Sequence, residues 1–150
     1  MPQSLSKILL HIVFSTKDRA PCLTTNLRPA LHAYMATLAR NQGCECYRAN
    51  GIEDHVHLAI GLARTITVAD LVKELKTESN KWLKNEDKTL SHFSWQKGYG
   101  VFSLGASQLP DLLGYIDNQE THHQKVTFKD EYRIFLKKYE IEYDERYVWD

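Results

Sequence analysis

The chain has 150 residues, of which 43% are hydrophobic and 25% charged, proportions typical of a soluble globular protein that forms a single domain, residues 1–150. Lysine plus arginine and aspartate plus glutamate number 19 each, which argues against a protein that coats duplex nucleic acid through bulk positive charge. Neither a signal-peptide pattern nor an apolar run of about 20 residues is seen, so we expect a cytoplasmic protein with no membrane partner.

The first half of the chain predicts a strand, a helix and a hairpin. Residues 7–16 (KILLHIVFST) are rich in Ile, Leu, Val and Phe at strand length, which predicts a central strand. Apolar residues at helical spacing follow, with Thr25 or Asn26 expected as the N-cap and Gly43 just past the end. Residues 44–62 contain two strand-like runs around NGIED, which predicts an antiparallel hairpin.

The second half predicts a helix, a strand and two further helices. A helix capped by Thr67 and Asp70 precedes a bent fourth strand at residues 93–105, and another helix begins near Pro110. A short amphipathic helix and an aromatic tail close the chain. The order β-α-β-β-α-β-α predicts an α+β, ferredoxin-like antiparallel sheet with helices on one face and an extra C-terminal helix. We expect the other face to receive a ligand, a partner or a second subunit.

Two histidines lie on the second arm of the predicted hairpin, in EDHVHLAIGL. A strand points alternate side chains to opposite faces, so His55 and His57 share one face with Ala59, while Val56 and Leu58 share the other. The apolar face is expected to join the core. The histidine face is therefore a candidate site.

A further set of polar side chains lies in YIDNQETHH. Tyr115 and Gln119 are four residues apart, so on a helix they stack along one flank, and His122 falls on the same flank. A tyrosine beside an apolar stripe is by itself ordinary packing. Its combination with the His-Val-His pattern is what indicates chemistry.

Three segments, EDHVHLAI, WQKGYGVFS and YIDNQETHHQK, resemble in their order and spacing the motifs of the single-tyrosine HUH transposases. These are small, RRM-like transposases of bacterial insertion sequences and of domesticated relatives that act at repeated extragenic palindromes. The resemblance runs from about Lys7 into the C-terminal tail. It implies that His55, His57 and Gln119 bind Mg²⁺ or Mn²⁺ and that Tyr115, on the catalytic helix, is the nucleophile.

The resemblance also implies a reaction and partners. The enzyme would cleave and rejoin single-stranded DNA with hairpin ends through a covalent 5′-phosphotyrosine, without a nucleotide cofactor. It would act as a homodimer whose composite sites take the histidines from one subunit and Tyr115 from the other. Because two imidazoles and an amide carry no charge, we expect metal binding to be weak until DNA supplies oxygen ligands. His122 and a metal-bound water are candidates for the base that deprotonates Tyr115.

Basic side chains flank the first strand and lie on the solvent side of the second helix. Such positions suit contacts to DNA phosphates. The residues expected to make these contacts are Lys7, Lys17, Arg19, Lys73 and Lys76.

Other functions stay open at this point. Cys44, Cys46, His55 and His57 lie on the two arms of one hairpin and could form a structural zinc site, and the cysteines show no disulfide framework. A noncatalytic ferredoxin-like module that binds nucleic acid would also accommodate two histidines. A histidine-triad nucleotide hydrolase would need a third alternate histidine, where the chain has Ala59.

Overall fold

The structure, a computed structural model, describes residues 2–150 and contains one four-stranded antiparallel sheet. Its spatial order, β2-β3-β1-β4, is that of a ferredoxin-like fold, which confirms the fold predicted from the sequence. The strands are β1 (Leu9–Ser15), β2 (Glu45–Ile52), β3 (His55–Gly61) and β4 (Gly100–Leu104).

Five α-helices within the described part of the chain connect and cover this sheet. None of the helices within residues 2–150 has both the length and the apolar character needed to cross a membrane. The helices are α1 (Arg28–Asn41), α2 (Val68–Glu86), α3 (Leu109–Asp117), α4 (Gln119–His122) and α5 (Phe128–Lys138).

The ends of these helices follow local chemistry. The Thr67 hydroxyl accepts a hydrogen bond from the Asp70 amide at the start of α2, as predicted. Helix α1 begins later than expected, because Pro29 in its first turn fixes a helical φ and neither Thr25 nor Asn26 caps it. Past its end, Gly43 adopts a φ of 84°, which favours glycine.

The β2–β3 hairpin turns at Glu53 and Asp54, because Ile52 already pairs with His55. The predicted turn segment NGIED is therefore wrong in its first part, since Asn50 and Gly51 belong to β2. A Cβ atom on Gly51 would clash with the carbonyl oxygen of His55. The glycine thus allows the two strands to approach closely just beside the histidine pair.

The two faces of the sheet carry separate apolar cores. Ile12 and Phe14 of β1 pack with Leu58 of β3 beneath α1 and α2. On the opposite face, Val13 and Phe102 pack against α5. Helix α5 of the same chain covers part of this second face, beside the face's histidines; its buried side chains there are Phe128, Tyr132 and Leu136.

The segment that carries Tyr115 and Gln119 is not one continuous helix. Helix α3 ends at Asp117, and Asn118, with φ −100° and ψ 21°, separates it from α4. The Asn118 side-chain amide donates to the Gly114 carbonyl at 2.9 Å, a local bond that competes with helix continuation. Gln119 nevertheless stays beside Tyr115, because its amide donates to the Tyr115 carbonyl at 3.3 Å.

Candidate metal and tyrosine site

Both β3 histidines are completely buried, with a relative exposure of 0%. His55 Nδ1 lies 2.7 Å from Asp54 Oδ1, and His57 Nδ1 lies 2.7 Å from Nε2 of His11 on β1. Because each Nδ1 has a partner, each Nε2 is left to face the site, an arrangement typical of metal-binding histidines. Burial and, after it, the neighbouring His57 lower the pKa of His11 well below its usual value. His11 was not predicted as a site residue.

Glu131 of α5, which was not predicted as a site residue, brings a carboxylate to the same point. Its Oε1 lies 3.0 Å from His57 Nε2 and 3.5 Å from His55 Nε2. Phe128, Glu131, Tyr132 and Leu136 are the buried residues of α5. An acidic residue within an apolar helical stripe was the available signal.

Glu131 is 2% exposed, so its charge depends on its hydrogen-bond partners. Burial alone would raise the pKa of this carboxyl group. Hydrogen bonds from His123 and His57, with the nearby imidazoles, outweigh burial and hold the pKa well below its usual range. Burial lowers the pKa of His57 to about 4, because its hydrogen bond to Glu131 offsets only part of the desolvation.

The structure brings Gln119 to the histidine pair, as the resemblance implies. Its Oε1 lies 3.2 Å from His55 Nε2, and the side chain is fully buried. Neighbouring ligands of an octahedral metal with bonds of about 2.1 Å are about 3 Å apart. Three separations between donor atoms fit a divalent cation: 3.2 Å from His55 to Gln119, and 3.5 and 3.0 Å from Glu131 to His55 and His57.

His123 adds another imidazole at the edge of this cluster. One ligand atom each from His55, His57, His123 and Glu131 lies within 4.8 Å of the others. His123 Nε2 faces the second oxygen of the carboxylate, 3.1 Å from Glu131 Oε2, and its Nδ1 lies 2.6 Å from the Val126 carbonyl. Burial lowers the pKa of His123, but hydrogen bonding to Glu131 outweighs it and raises the pKa overall.

Tyr115 lies directly beside the cluster in the same chain. Its hydroxyl donates a hydrogen bond to Glu131 Oε2 and is 3.4 Å from His122 Nε2. Its ring meets the His57 ring edge-on, with centroids 5.8 Å apart. Burial, and then the negative charge of Glu131, raise the pKa of the phenol well above its usual value.

A cavity of about 400 Å³ opens onto Tyr115 and Glu131. Ile134 and Phe135 of α5 give it apolar walls, and Lys138 also lines it. The cavity therefore combines surfaces suited to a nucleobase with a cation suited to a phosphate.

The cysteines lie apart from this site. Cys46 pairs with Ile60, on the face of the hairpin opposite to His55, and Cys44 is buried in the same helix-side core. The Cys₂His₂ zinc alternative is therefore wrong, because strand alternation separates its two halves.

The five basic residues predicted to contact DNA have different environments. Lys7, Lys17 and Lys73 are exposed. Arg19 donates to the Trp149 carbonyl at 2.7 Å, which ties it to the C-terminal tail. Lys76 donates to three carbonyls of residues 96–98 at 2.7 to 3.2 Å. Contacts from all five to DNA stay a prediction.

Comparison with known proteins finds similarity to transposases. A family model described as "Transposase IS200 like" matches residues 4–119. A Deinococcus radiodurans R1 protein provisionally described as a transposase is 24% identical, with a TM-score of 0.64 over 79% of this chain and 98% of that one. A REP-associated tyrosine transposase bound to a REP hairpin is 15% identical, with a TM-score of 0.62 over 84% of this chain and 74% of that one. No curated protein matches the chain.

Proposed function

Because the chain belongs to the family of IS200-like transposases, we propose that it cleaves and rejoins single-stranded DNA through a covalent bond to Tyr115. The observation that carries this proposal is the hydroxyl of Tyr115 beside a buried cluster of metal-binding groups. His55, His57 and Gln119, the residues assigned to the metal by resemblance, are all fully buried around that point. A HUH-type mechanism is the chemistry that uses all of these side chains together.

The cleavage step balances with the groups that the site contains. The Tyr115 oxygen forms a bond to phosphorus while the bond from phosphorus to the 3′ oxygen breaks, which leaves a 5′-phosphotyrosine and a free 3′-hydroxyl. The phenol proton passes to one of the two groups beside the hydroxyl, Glu131 Oε2 or His122 Nε2, and the departing 3′ oxygen takes up a proton from water. Attack by another 3′-hydroxyl reverses the step and joins strands, so no nucleotide cofactor is consumed.

His55, His57 and Gln119 would hold a divalent cation for this reaction, with Mg²⁺ and Mn²⁺ as the candidates. Such an ion supplies charge stabilisation at the scissile phosphate and at the leaving oxygen. From the sequence, His122 and a metal-bound water are the candidate bases. Glu131, whose Oε2 accepts a hydrogen bond from the Tyr115 hydroxyl, is a further candidate beside His122.

Single-stranded DNA with hairpin ends is the substrate that we propose. The solved relative bound to a REP hairpin supports this class of ligand. The exposed Lys7, Lys17 and Lys73 are suited to tracking a phosphate backbone, while Phe135 and Ile134 offer surfaces for an unpaired base. In this proposal the protein acts on cytoplasmic DNA.

We also propose a homodimer with composite sites, although a single chain already brings Tyr115 to its own histidines. Mixing two inactive variants distinguishes the two arrangements. A chain with His55→Ala and His57→Ala retains Tyr115, and a Tyr115→Phe chain retains the histidines. Their heterodimer regains one complete site only if tyrosine and histidines come from different subunits. Recovery of activity supports composite sites, and no recovery from proven heterodimers contradicts them.

The cleavage proposal is tested with single-stranded oligonucleotides copied from both flanks of the gene. Wild-type protein and Tyr115→Phe are incubated with each strand, with Mg²⁺ or with EDTA, and separated on a denaturing gel. We expect a covalent protein–DNA band that requires both the metal and Tyr115. Hairpin binding without any adduct would instead support the noncatalytic nucleic-acid-binding module.

A further inference from the structure

We propose that Glu131 is itself a metal ligand through Oε1, and that its charge lets the site bind a divalent cation before DNA arrives. This inference deepens the proposed function and rests on it for the role of the cluster in phosphate chemistry. Glu131 belongs to α5, which begins at Phe128, beyond the match of the family model at residues 4–119. The C-terminal helix thus contributes to the ligand set.

Glu131 Oε1 lies beside the Nε2 atoms of both β3 histidines. This oxygen lies 3.0 Å from His57 Nε2 and 3.5 Å from His55 Nε2, so all three donors surround one point. Gln119 Oε1 approaches the same point from α4, 3.2 Å from His55 Nε2. The structure therefore offers four metal-binding groups from β3, α4 and α5, whereas the family resemblance implies only three ligands.

The Glu131 carboxylate is buried among histidines. A buried charge is costly unless an opposite charge or several hydrogen bonds compensate for it. Within residues 2–150 the ion-pairing partners of Glu131 are all histidines, with no lysine or arginine among them. A carboxylate that is 2% exposed and lacks a permanent cationic partner is suited to a bound cation.

The two carboxylate oxygens face different groups. Oε1 faces the histidine pair, while Oε2 accepts the hydrogen bond from Tyr115 and lies 3.1 Å from His123 Nε2. Coordination through Oε1 leaves Oε2 available to the phenol. Glu131 therefore links the metal ligands to the nucleophile through a single side chain.

The charge of Glu131 changes the expected behaviour of the site. His55, His57 and Gln119 form a neutral ligand set, which predicted weak binding until DNA supplies oxygens. Adding a carboxylate makes the set anionic and gives Mg²⁺ or Mn²⁺ an oxygen ligand of the kind they prefer. We therefore expect the DNA-free protein to bind one divalent cation per chain.

The experiment is a titration of the DNA-free, full-length protein with Mn²⁺, monitored by electron paramagnetic resonance and calorimetry. Glu131→Gln removes the charge with little change in shape, and Glu142→Gln makes the same change at an exposed C-terminal carboxylate. We expect Glu131→Gln to weaken Mn²⁺ binding at least about 10-fold and Glu142→Gln to leave it unchanged. Equal affinity of Glu131→Gln and wild type would overturn the proposal.

A measurement on the wild-type protein covers the case in which Glu131→Gln does not fold. A carboxylate that binds a cation changes the spacing of its two stretching bands, so an infrared difference spectrum with and without Mn²⁺ should show that change. Its absence, or the absence of Mn²⁺ binding without DNA, would reject the inference. Because neither measurement uses DNA, failure of the covalent-adduct assay alone would count against the proposed function and not against this ligand.

Discussion

The Tyr115 hydroxyl donates a hydrogen bond to Glu131 Oε2, across 16 residues and between two different helices. His122 Nε2, a base candidate from the sequence, is 3.4 Å from the same hydroxyl. Two groups could therefore accept the phenol proton, and they differ in distance and burial. His122 has a side-chain exposure of 30%, whereas that of Glu131 is 2%.

Substitution separates these two proton acceptors. We expect Glu131→Gln to slow adduct formation by about 100-fold or more and His122→Gln by less than about 10-fold, because general-base contributions are commonly 10²- to 10⁴-fold. The rates are measured on a denaturing gel at saturating Mn²⁺, so that metal affinity does not limit them. A larger loss with His122→Gln would assign the base to His122.

The hydrogen bond between His11 and His57 Nδ1 should affect metal affinity, because it orients the His57 ring whose Nε2 faces the site. His11→Phe preserves an aromatic ring beside Phe135 but removes the 2.7 Å hydrogen bond to His57 Nδ1. Loss of such a supporting bond typically costs 10- to 100-fold in metal affinity, and we expect about that effect in the Mn²⁺ titration. The same substitution at exposed His92 is the control, and equal affinity of both variants would contradict the role of His11.

Substitution by alanine at two glycines next to site residues should change the free energy of unfolding in opposite directions. Gly51→Ala places a methyl group against the His55 carbonyl, so we expect a loss of about 2 kcal/mol or more in the free energy of unfolding. A Cβ at Gly114, in α3, has no neighbour within 4 Å, and Gly114→Ala should gain about 0.5 to 1 kcal/mol. Urea unfolding followed by circular dichroism measures both; destabilisation by Gly114→Ala would contradict the helix assignment.

His32 of α1 should make stability depend on pH. Its buried Nε2 has no hydrogen-bond partner, and burial, with nearby Arg28, lowers its pKa to about 4. An unfolded histidine binds a proton near pH 6.5, so between about pH 6.5 and 4 the unfolded state binds more protons and stability falls as pH falls.

Removing His32 should reduce that loss of stability. We expect His32→Leu to lose about 2 to 3 kcal/mol less than wild type between pH 7 and pH 4.5. Urea unfolding at both pH values, with EDTA present, measures the difference. An identical loss in both proteins would show that other groups cause the acid sensitivity.

Lys73 and Lys76 of α2 should differ although both were predicted to bind DNA. Lys76 is largely enclosed, and burial lowers its pKa to about 8. We expect Lys76→Met to cost about 1 to 3 kcal/mol of stability, because it removes the donor to the carbonyls of residues 96–98.

Lys73 is exposed, so Lys73→Met should change the free energy of unfolding by less than about 0.5 kcal/mol. It should weaken hairpin binding and make the affinity depend less on salt. Unchanged binding by Lys73→Met across salt concentrations would remove it from the DNA interface.

The sequence by itself determined the strand and helix order and the histidine face of β3. Alternation along a strand and the 3.6-residue helical period are local properties, so His55 and His57 could be separated from Val56 and Leu58 without knowing any distant contact. Gln119 could be placed near them only through the resemblance.

Only the tertiary structure decided which groups complete the site. Glu131 meets His57 across 74 residues, and His11 meets it across 46. The periodicity of apolar residues indicates which side of α5 or β1 is buried, but not which other element that side packs against. The docking of α5 on the sheet, through Phe102, Phe128 and Leu136, is what carries a carboxylate to the histidines and places it under Tyr115.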